Sequence, residues 1–355
     1  MLKIKSKDIS VVVQGAINYE YTRRVLKSIR KYLPHAEIIL STWKNSDVVG
    51  LDYDILVENT DPGAPILFRG TKQYHNLNRQ IVSTLNGIKR ATRKYVLKTR
   101  TDIEFTSANF LKYFDRFKKR SEDCKILKKR VLICNYYARL AKVFPFHISD
   151  WVFFGLKEDV QNIWDIPLAP EPEYTEWFYH HQLQPNHLDK GEYSYFRHRY
   201  CAEQYIWSEF LKKNGVKLKF DHMFDITDEN IKLTELSFAN NLVILSMQQF
   251  GINFLKFFSY EVVDIYTFPH WETLYRKYIE KKYKVGIKTK IFTNEKCLKC
   301  LKKIQKHGRN FIAPCKKTVK WVFEIFSITF YLIKFGMLVL KVVFKNENKG
   351  IKKDV

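Results

Sequence analysis

The sequence predicts an α/β domain with a mainly parallel, Rossmann-like sheet over residues 1 to about 270, followed by a basic, amphipathic helical extension over 271–355. Three observations predict it. Short continuous apolar runs such as ISVVV at 9–13 suit parallel strands buried on both faces. These runs alternate with segments of helical period, in the order strand, helix, strand, strand, helix, strand, which places helices against a parallel sheet. From Trp271 onward the composition changes: 22 of the 61 Lys and Arg residues fall there, against 6 acids.

The first strand ends at Gln14-Gly15. Val25, Ile29 and Leu33 then recur at i, i+4 and i+8, and Pro34 stops that helix. AEIILSTWKNSD supplies a second buried strand through Ile38–Leu40 that opens into a polar loop. DILVEN gives a third, shorter strand ending at Asn59, before the turn Asp61-Pro62-Gly63. From Asn76 to Arg90, Leu77, Ile81, Leu85 and Ile88 share a helix face, and the chain passes into the strand YVLKT. The tract 167–200 is rich in aromatic residues and histidine but has no regular period over most of its length, which predicts a long structured loop over a site. Ala202-Glu203-Gln204 opens an amphipathic helix closed by Gly215, so Glu203 stands in its first turn.

With 355 residues, 46% of them hydrophobic, the chain can bury one large core and carry an appendage. The formal charge of +24 is mostly a property of the C-terminal segment. Six cysteines in so long a chain make no disulfide framework, and the N-terminal apolar run is too short for a signal peptide, so a reducing cytoplasm is expected. Cys297, Cys300, His307 and Cys315 could be forced into a zinc site, but the spacing after the first pair fits no common finger.

In open parallel sheets the ligand sits outside the carboxyl ends of the strands. That rule selects the loops Gln14–Ala16, Ser41–Asp47, Asn59–Asp61 and Arg100–Glu104. Two acids one residue apart, Asp102 and Glu104, can share a divalent cation that bridges the oxygens of a diphosphate, which makes Mn²⁺ or Mg²⁺ the expected cofactor. The plainer alternative is a solvated turn salt-bridged to Lys98 and Arg100. Arg79, Lys98 and Arg100 are candidate cations for the charge on a leaving diphosphate. Glu203 is the candidate general base, with helix capping as the alternative, and Asp150 in HISDWVFFG is its rival.

VVVQGAI at 11–17, IILSTWKNSD at 38–47, NLNRQIVSTLNGI at 76–88, VLKTRTD at 96–102, SDWVFFG at 149–155 and AEQYIW at 202–207 together resemble the WavE lipopolysaccharide-synthesis family over about residues 8–225. The resemblance implies a glycosyltransferase of the A-type nucleotide-sugar fold, with a nucleotide half over about 1–105 and an acceptor half over about 106–270. Its donor would be a nucleotide sugar, and its acceptor a lipid-linked or lipid-A-core glycan of lipopolysaccharide or capsule. Gln14, Gly15 and the loop containing Thr42 and Asp47 would contact the nucleotide. Arg79 and Arg100 would lie near the phosphates, and Asp102 would take the metal side. The second acid is Glu104 where the wider fold carries Asp, so a CMP-sugar donor, which leaves without a cation, is the alternative.

The stretch 318–345 is apolar, but Glu324, Lys334 and Lys341 leave no charge-free run of the roughly 20 residues a membrane span needs. At about 100° per residue its charges fall within an arc of about 100°, which predicts a helix lying in an anionic membrane interface. The lysines at 296–317 would add about 1 kcal/mol each to that attraction. A helix packed on protein is the other reading. No nucleic-acid module accompanies the charge, so a peripheral position on the inner face of the cell membrane is expected. Two other classes stay open. A sugar-phosphate nucleotidyltransferase would normally carry a glycine-rich loop after the first strand, where only Gly15 stands; a non-catalytic membrane scaffold would need no strand-end acids.

Overall fold

Ile9–Gln14 forms β1, and all six of its residues are buried, as a strand covered on both faces requires. The computed structural model describes residues 4–66, 74–181, 198–256 and 264–281. The chain divides into two compact units, Met1–Tyr283 and Lys284–Val355, and all the described residues belong to the first. α1 (Tyr19–Tyr32) starts at Asn18, whose side chain accepts the Tyr21 N–H at 3.1 Å, and it buries Val25, Leu26 and Ile29. β2 (Glu37–Trp43), β3 (Ile55–Asn59), α2 (Leu77–Arg90) and β4 (Tyr95–Arg100) complete the predicted alternation.

On α2 the buried face differs from the predicted one. Leu77, Ile81 and Ile88 are buried together with Ser83, Thr84 and Gly87, while Leu85 is only half-buried. The cause is a close approach: a Cβ on Gly87 would stand 2.4 Å from Val12 Cγ1 and 3.1 Å from Ser41 Cβ. Small residues therefore line the contact with β1 and β2, and the helix is rotated to present them.

The remaining elements are β5 (Ile103–Phe105), β6 (Val131–Cys134), β7 (Phe153–Leu156), α3 (Lys157–Trp164), α4 (Trp177–His181), α5 (Ala202–Lys213), α6 (Asp228–Asn241), β8 (Leu242–Leu245), α7 (Met247–Phe250), β9 (Ile252–Phe254) and α8 (Phe268–Tyr275). Seven strands form one sheet in the order β3-β2-β1-β4-β7-β6-β8. Only β7 runs against its neighbours β4 and β6, so the sheet is mostly parallel. β5 and β9 pair antiparallel in a separate ribbon. The acidic stretch after β4 is therefore not one loop: Thr101-Asp102 turns the chain, and Ile103 and Phe105 are buried as alternate residues of β5 with Glu104 between them.

Residue 270 falls inside α8. Trp271 is fully buried and its ring meets that of Phe117 at 4.6 Å, so this helix packs with the first unit. The expected capping of α5 is present, with Gly215 at φ +82° just beyond its end. The tract 167–200 is described at its two ends; Ala169 exchanges hydrogen bonds with the Asn78 side chain of α2 at 2.8 and 3.0 Å, and Trp177–His181 is helical. Its centre, the stretch 318–345 and the group Cys297, Cys300, His307 and Cys315 lie outside the described residues. Among the described residues, no helix is long and apolar enough to cross a membrane.

Candidate active site at the carboxyl ends of the strands

From β1 the chain runs outward through β2 to β3, then returns to β4 on the other side of β1. That reversal makes the carboxyl ends of β1 and β4 the switch point of the sheet, where ligands bind in sheets of this kind. Gly15 sits there at φ +124°, a conformation that suits glycine, and a Cβ on it would lie 3.3 Å from Thr101 Oγ1. The loops are fastened to one another. Thr101 donates its N–H to Gln14 O at 3.2 Å and its hydroxyl to Ala16 O at 2.8 Å, while Gly15 N–H donates to Ser41 O at 3.1 Å.

Several predicted contact residues shape these loops from below. Gln14 is buried and its Oε1 accepts the Ser83 hydroxyl at 2.8 Å. Thr42 is buried with Oγ1 3.2 Å from Ser46 Oγ, and Asp47 accepts the Val49 N–H at 3.1 Å. Beneath them runs a polar chain that sequence reasoning missed: Asn59 donates to Ser41 Oγ at 3.0 Å and Thr42 O at 2.8 Å, and accepts from Asn86 Nδ2 at 2.9 Å. Its signal was a set of polar residues at positions the apolar pattern would fill, each satisfied by another. Arg79 reaches the third loop, where Nε and Nη2 hold Asp61 at 2.7 and 2.6 Å. That clamp holds the Asp61 carboxyl below its ordinary pKa.

Arg100 and Asp102 form the corresponding pair at the end of β4. Nε meets Oδ1 at 2.9 Å and Nη2 meets Oδ2 at 2.7 Å, and the guanidinium lies 4.4 Å from the centre of the Trp151 ring. Phe254 and Tyr136 close on Trp151 at 4.1 and 4.7 Å, making an aromatic wall. Glu104 leaves this group altogether and accepts from Arg24 of α1 at 3.0 Å. The two acids thus have separate arginine partners. Among the described residues no three His, Cys, Asp or Glu side chains are grouped to hold a metal ion.

Lys98 has a different place from the one sequence suggested. It is fully buried, its ammonium donates to the carbonyl of Asp150, and it lies 4.6 Å from the Trp164 ring centre. Burial pulls its pKa down to about 7, with Asp150 opposing and Arg100 adding to the fall. It anchors the peptide of Asp150 and cannot reach a phosphate outside the sheet.

Asp150 and Glu203 lie close enough for the charge of one to act on the other. Asp150 is 3% exposed, and its Oδ1 has no hydrogen-bond partner. A buried oxygen left unpaired costs about 1–3 kcal/mol. Glu203, in the first turn of α5, would ordinarily be favoured as an anion by the helix N-terminus. Burial outweighs that, with the nearby charge of Asp150 second, and raises its pKa well above the carboxylate range against the opposing pull of its own N–H, Arg139 and Arg100. His147 is buried, and burial, with Arg139 second, lowers it to about 3. Its Nδ1–H donates to Ile148 O at 3.2 Å, so the bare Nε2 faces Glu203 Oε2 at 3.7 Å.

Fold and site together define an α/β domain with acids and an arginine clamp at the switch point of a mostly parallel sheet. The family model described as WavE lipopolysaccharide synthesis matches residues 9–306, and the chain belongs to that family. Membership places it in lipopolysaccharide synthesis. No curated protein matches the chain. Among solved structures it is similar to 4-diphosphocytidyl-2C-methyl-D-erythritol synthase from Anaerococcus prevotii, at 14% identity over 59% of this chain and 100% of that one, with a TM-score of 0.27. A likeness at that TM-score carries nothing about the chemistry of this chain.

Proposed function

We propose that the protein is a glycosyltransferase of the A-type fold that moves a sugar from a nucleotide-sugar donor to a growing lipopolysaccharide-core or capsule glycan. The observation that carries this reading is the convergence of Asp150, with its unpartnered Oδ1, and Glu203 on the Arg100–Asp102 pair at the switch point. The nucleotide would lie over Gly15 and the Ser41–Asp47 loop, with Arg79 and Arg100 toward its phosphates. The acceptor hydroxyl would donate to Asp150 Oδ1 and attack the anomeric carbon. As the new C–O bond forms, the bond to the donor phosphate breaks, and the nucleotide leaves with the electron pair. The hydroxyl proton passes into the acid pair, where Glu203, with its raised affinity for protons, retains it. The ionised form of Glu203 is therefore the active one.

A Mn²⁺ or Mg²⁺ ion would take Asp102 as its carboxylate ligand and would draw its other ligands from donor phosphates and water, neutralising charge on the leaving group. The lysine-rich C-terminal segment would bring the enzyme to the anionic inner face of the cell membrane, where lipid-linked acceptors lie.

Calorimetry of the full chain against UDP, GDP, CMP and their sugar conjugates, with and without Mn²⁺, tests the donor site. Release of free nucleotide from the bound conjugate tests turnover. Binding of one nucleotide, with turnover lost in Asp150→Asn and Glu203→Gln but binding retained, is the expected result. Binding of none would overturn the reading.

A further inference from the structure

The amino ends of β6 and β8, on the opposite edge of the sheet from the candidate active site, border a cavity of about 190 Å³. Lys118, Arg120, Lys128, Lys129 and Arg130 line it, with Asp115 as its one acid. Asp115 is taken by Lys129 at 2.9 Å, and Lys128 is paired outward with Glu158 at 2.5 Å.

The two arginines are built in rather than scattered on a surface. Arg130 is 6% exposed, and its guanidinium donates to Ala239 O at 2.8 Å, Phe117 O at 2.6 Å and Lys119 O at 2.9 Å. Arg120 donates to Leu127 O at 3.0 Å and to the side chains of Asn240 and Asn241, each at 3.2 Å. All these acceptors are neutral, so neither guanidinium is in an ion pair among the described residues. Asn240 and Asn241 also fix the surrounding loop, Asn240 by donating to Ser121 O and Asp123 O, each at 2.7 Å, and Asn241 by accepting the N–H groups of Ile126 and Leu127.

Holding two guanidinium charges side by side, one of them buried, without a carboxylate is costly unless an anion completes the site. The effect is visible in Arg130, whose pKa burial, with the neighbouring Arg120 second, lowers to about 9. Asp159 and Glu122 act on Arg120 from nearby without reversing its own fall through burial. Asp159 is engaged by the N–H groups of Lys128 and Lys129 at 2.7 and 2.8 Å. The volume decides what fits. It lies below the roughly 300 Å³ at which pockets for drug-sized ligands begin, too small for a nucleotide and suited to a phosphoryl group.

We infer that this cavity is a second, non-catalytic site that binds the phosphoryl group of a phosphate ester through Arg120, Arg130 and the rim lysines. Guanidinium geometry matches phosphate oxygens, and the lysines add point charges at the mouth.

The test is calorimetry of the full chain with inorganic phosphate, alongside flotation with phosphatidylglycerol vesicles and with phosphatidylcholine vesicles. Each is repeated for Lys118→Ala/Lys129→Ala, whose side chains are exposed and leave the core untouched, and for Arg120→Gln. A fall of about tenfold or more in phosphate affinity in the double variant is expected. Loss for phosphate alone assigns a free phosphoryl ligand. Loss of flotation with phosphatidylglycerol, with or without the phosphate effect, assigns a lipid headgroup. Unchanged affinity and flotation in the folded double variant would overturn the inference, whatever Arg120→Gln does.

Discussion

Glu203 Oε2 stands 3.7 Å from the bare Nε2 of a neutral His147, with Asp150 as the neighbouring acid whose charge it feels. Burial and that neighbouring charge outweigh the pull of its own N–H, Arg139 and Arg100, so the Glu203 carboxyl should titrate well above the usual carboxylate range. Side-chain ¹³C NMR would follow it directly. Asp150→Asn removes a negative neighbour and should move the titration down, and in the wild type the rate of sugar transfer should rise with pH through the window of the Glu203 titration. Stability depends on the same proton. Folded Glu203 holds it more tightly than the unfolded chain does, so the wild type loses stability as pH climbs from 4.5 toward the raised folded value, and Glu203→Gln does not.

Lys98 works in the opposite sense. Its folded pKa of about 7 lies below the unfolded 10.5, so between those values the unfolded chain binds more protons. Stability should therefore rise with pH across that window by up to about 1.4 kcal/mol per unit relative to Lys98→Met. Urea unfolding of the two proteins at several pH values reads the slope. The carbonyl lost as a partner in the variant adds only a constant offset. A flat difference would show that the ammonium stays charged in the fold.

The Arg100–Asp102 clamp is bidentate, and lysine cannot reproduce two parallel bonds or the stacking on Trp151. Arg100→Lys should lower nucleotide-sugar affinity by about tenfold to a hundredfold, and Asp102→Asn should do nearly the same. If the acid acts by orienting the arginine, the double variant falls little further than either single one. Full additivity in the calorimetric cycle would give Asp102 an independent role, such as cation binding.

Gly87 tests the packing of the half that carries the loops. Alanine is the better helix former by about 1 kcal/mol, yet its Cβ would meet Val12 Cγ1 at 2.4 Å. Overpacking should win, and Gly87→Ala should destabilise by about 1–3 kcal/mol in urea unfolding. A gain in stability would mean that α2 can shift away from the sheet at little cost.

Much of the first hundred residues was legible because buried parallel strands and amphipathic helices write their periods directly into sequence. The ends of β1 and β3 and both flanking helices followed from that pattern, whereas β2 runs on through Trp43, beyond the apolar run that ends at Leu40, with Ser41 and Thr42 buried in it and paired to β3. β5 did not follow from it, since three residues of alternating burial after a turn resemble a loop until Ile252–Phe254 arrives to pair with them. β6, β8 and the helices around them were obscure for a related reason: a four-residue buried strand carries no period of its own, and the pairing of β6 with β8 joins segments about a hundred residues apart.

By itself the sequence determined the α/β class, the family and the candidate acids Asp102, Glu104, Asp150 and Glu203, because composition, local period and motif order are properties of neighbouring residues. Tertiary structure decided which of them meet. It separated Glu104 from Asp102 by giving each its own arginine, buried Lys98 beneath Asp150, and placed Glu203 beside Asp150 and His147. Those outcomes depend on contacts between segments far apart in the chain, and on a burial that changes the charge a side chain can carry. No local pattern encodes either.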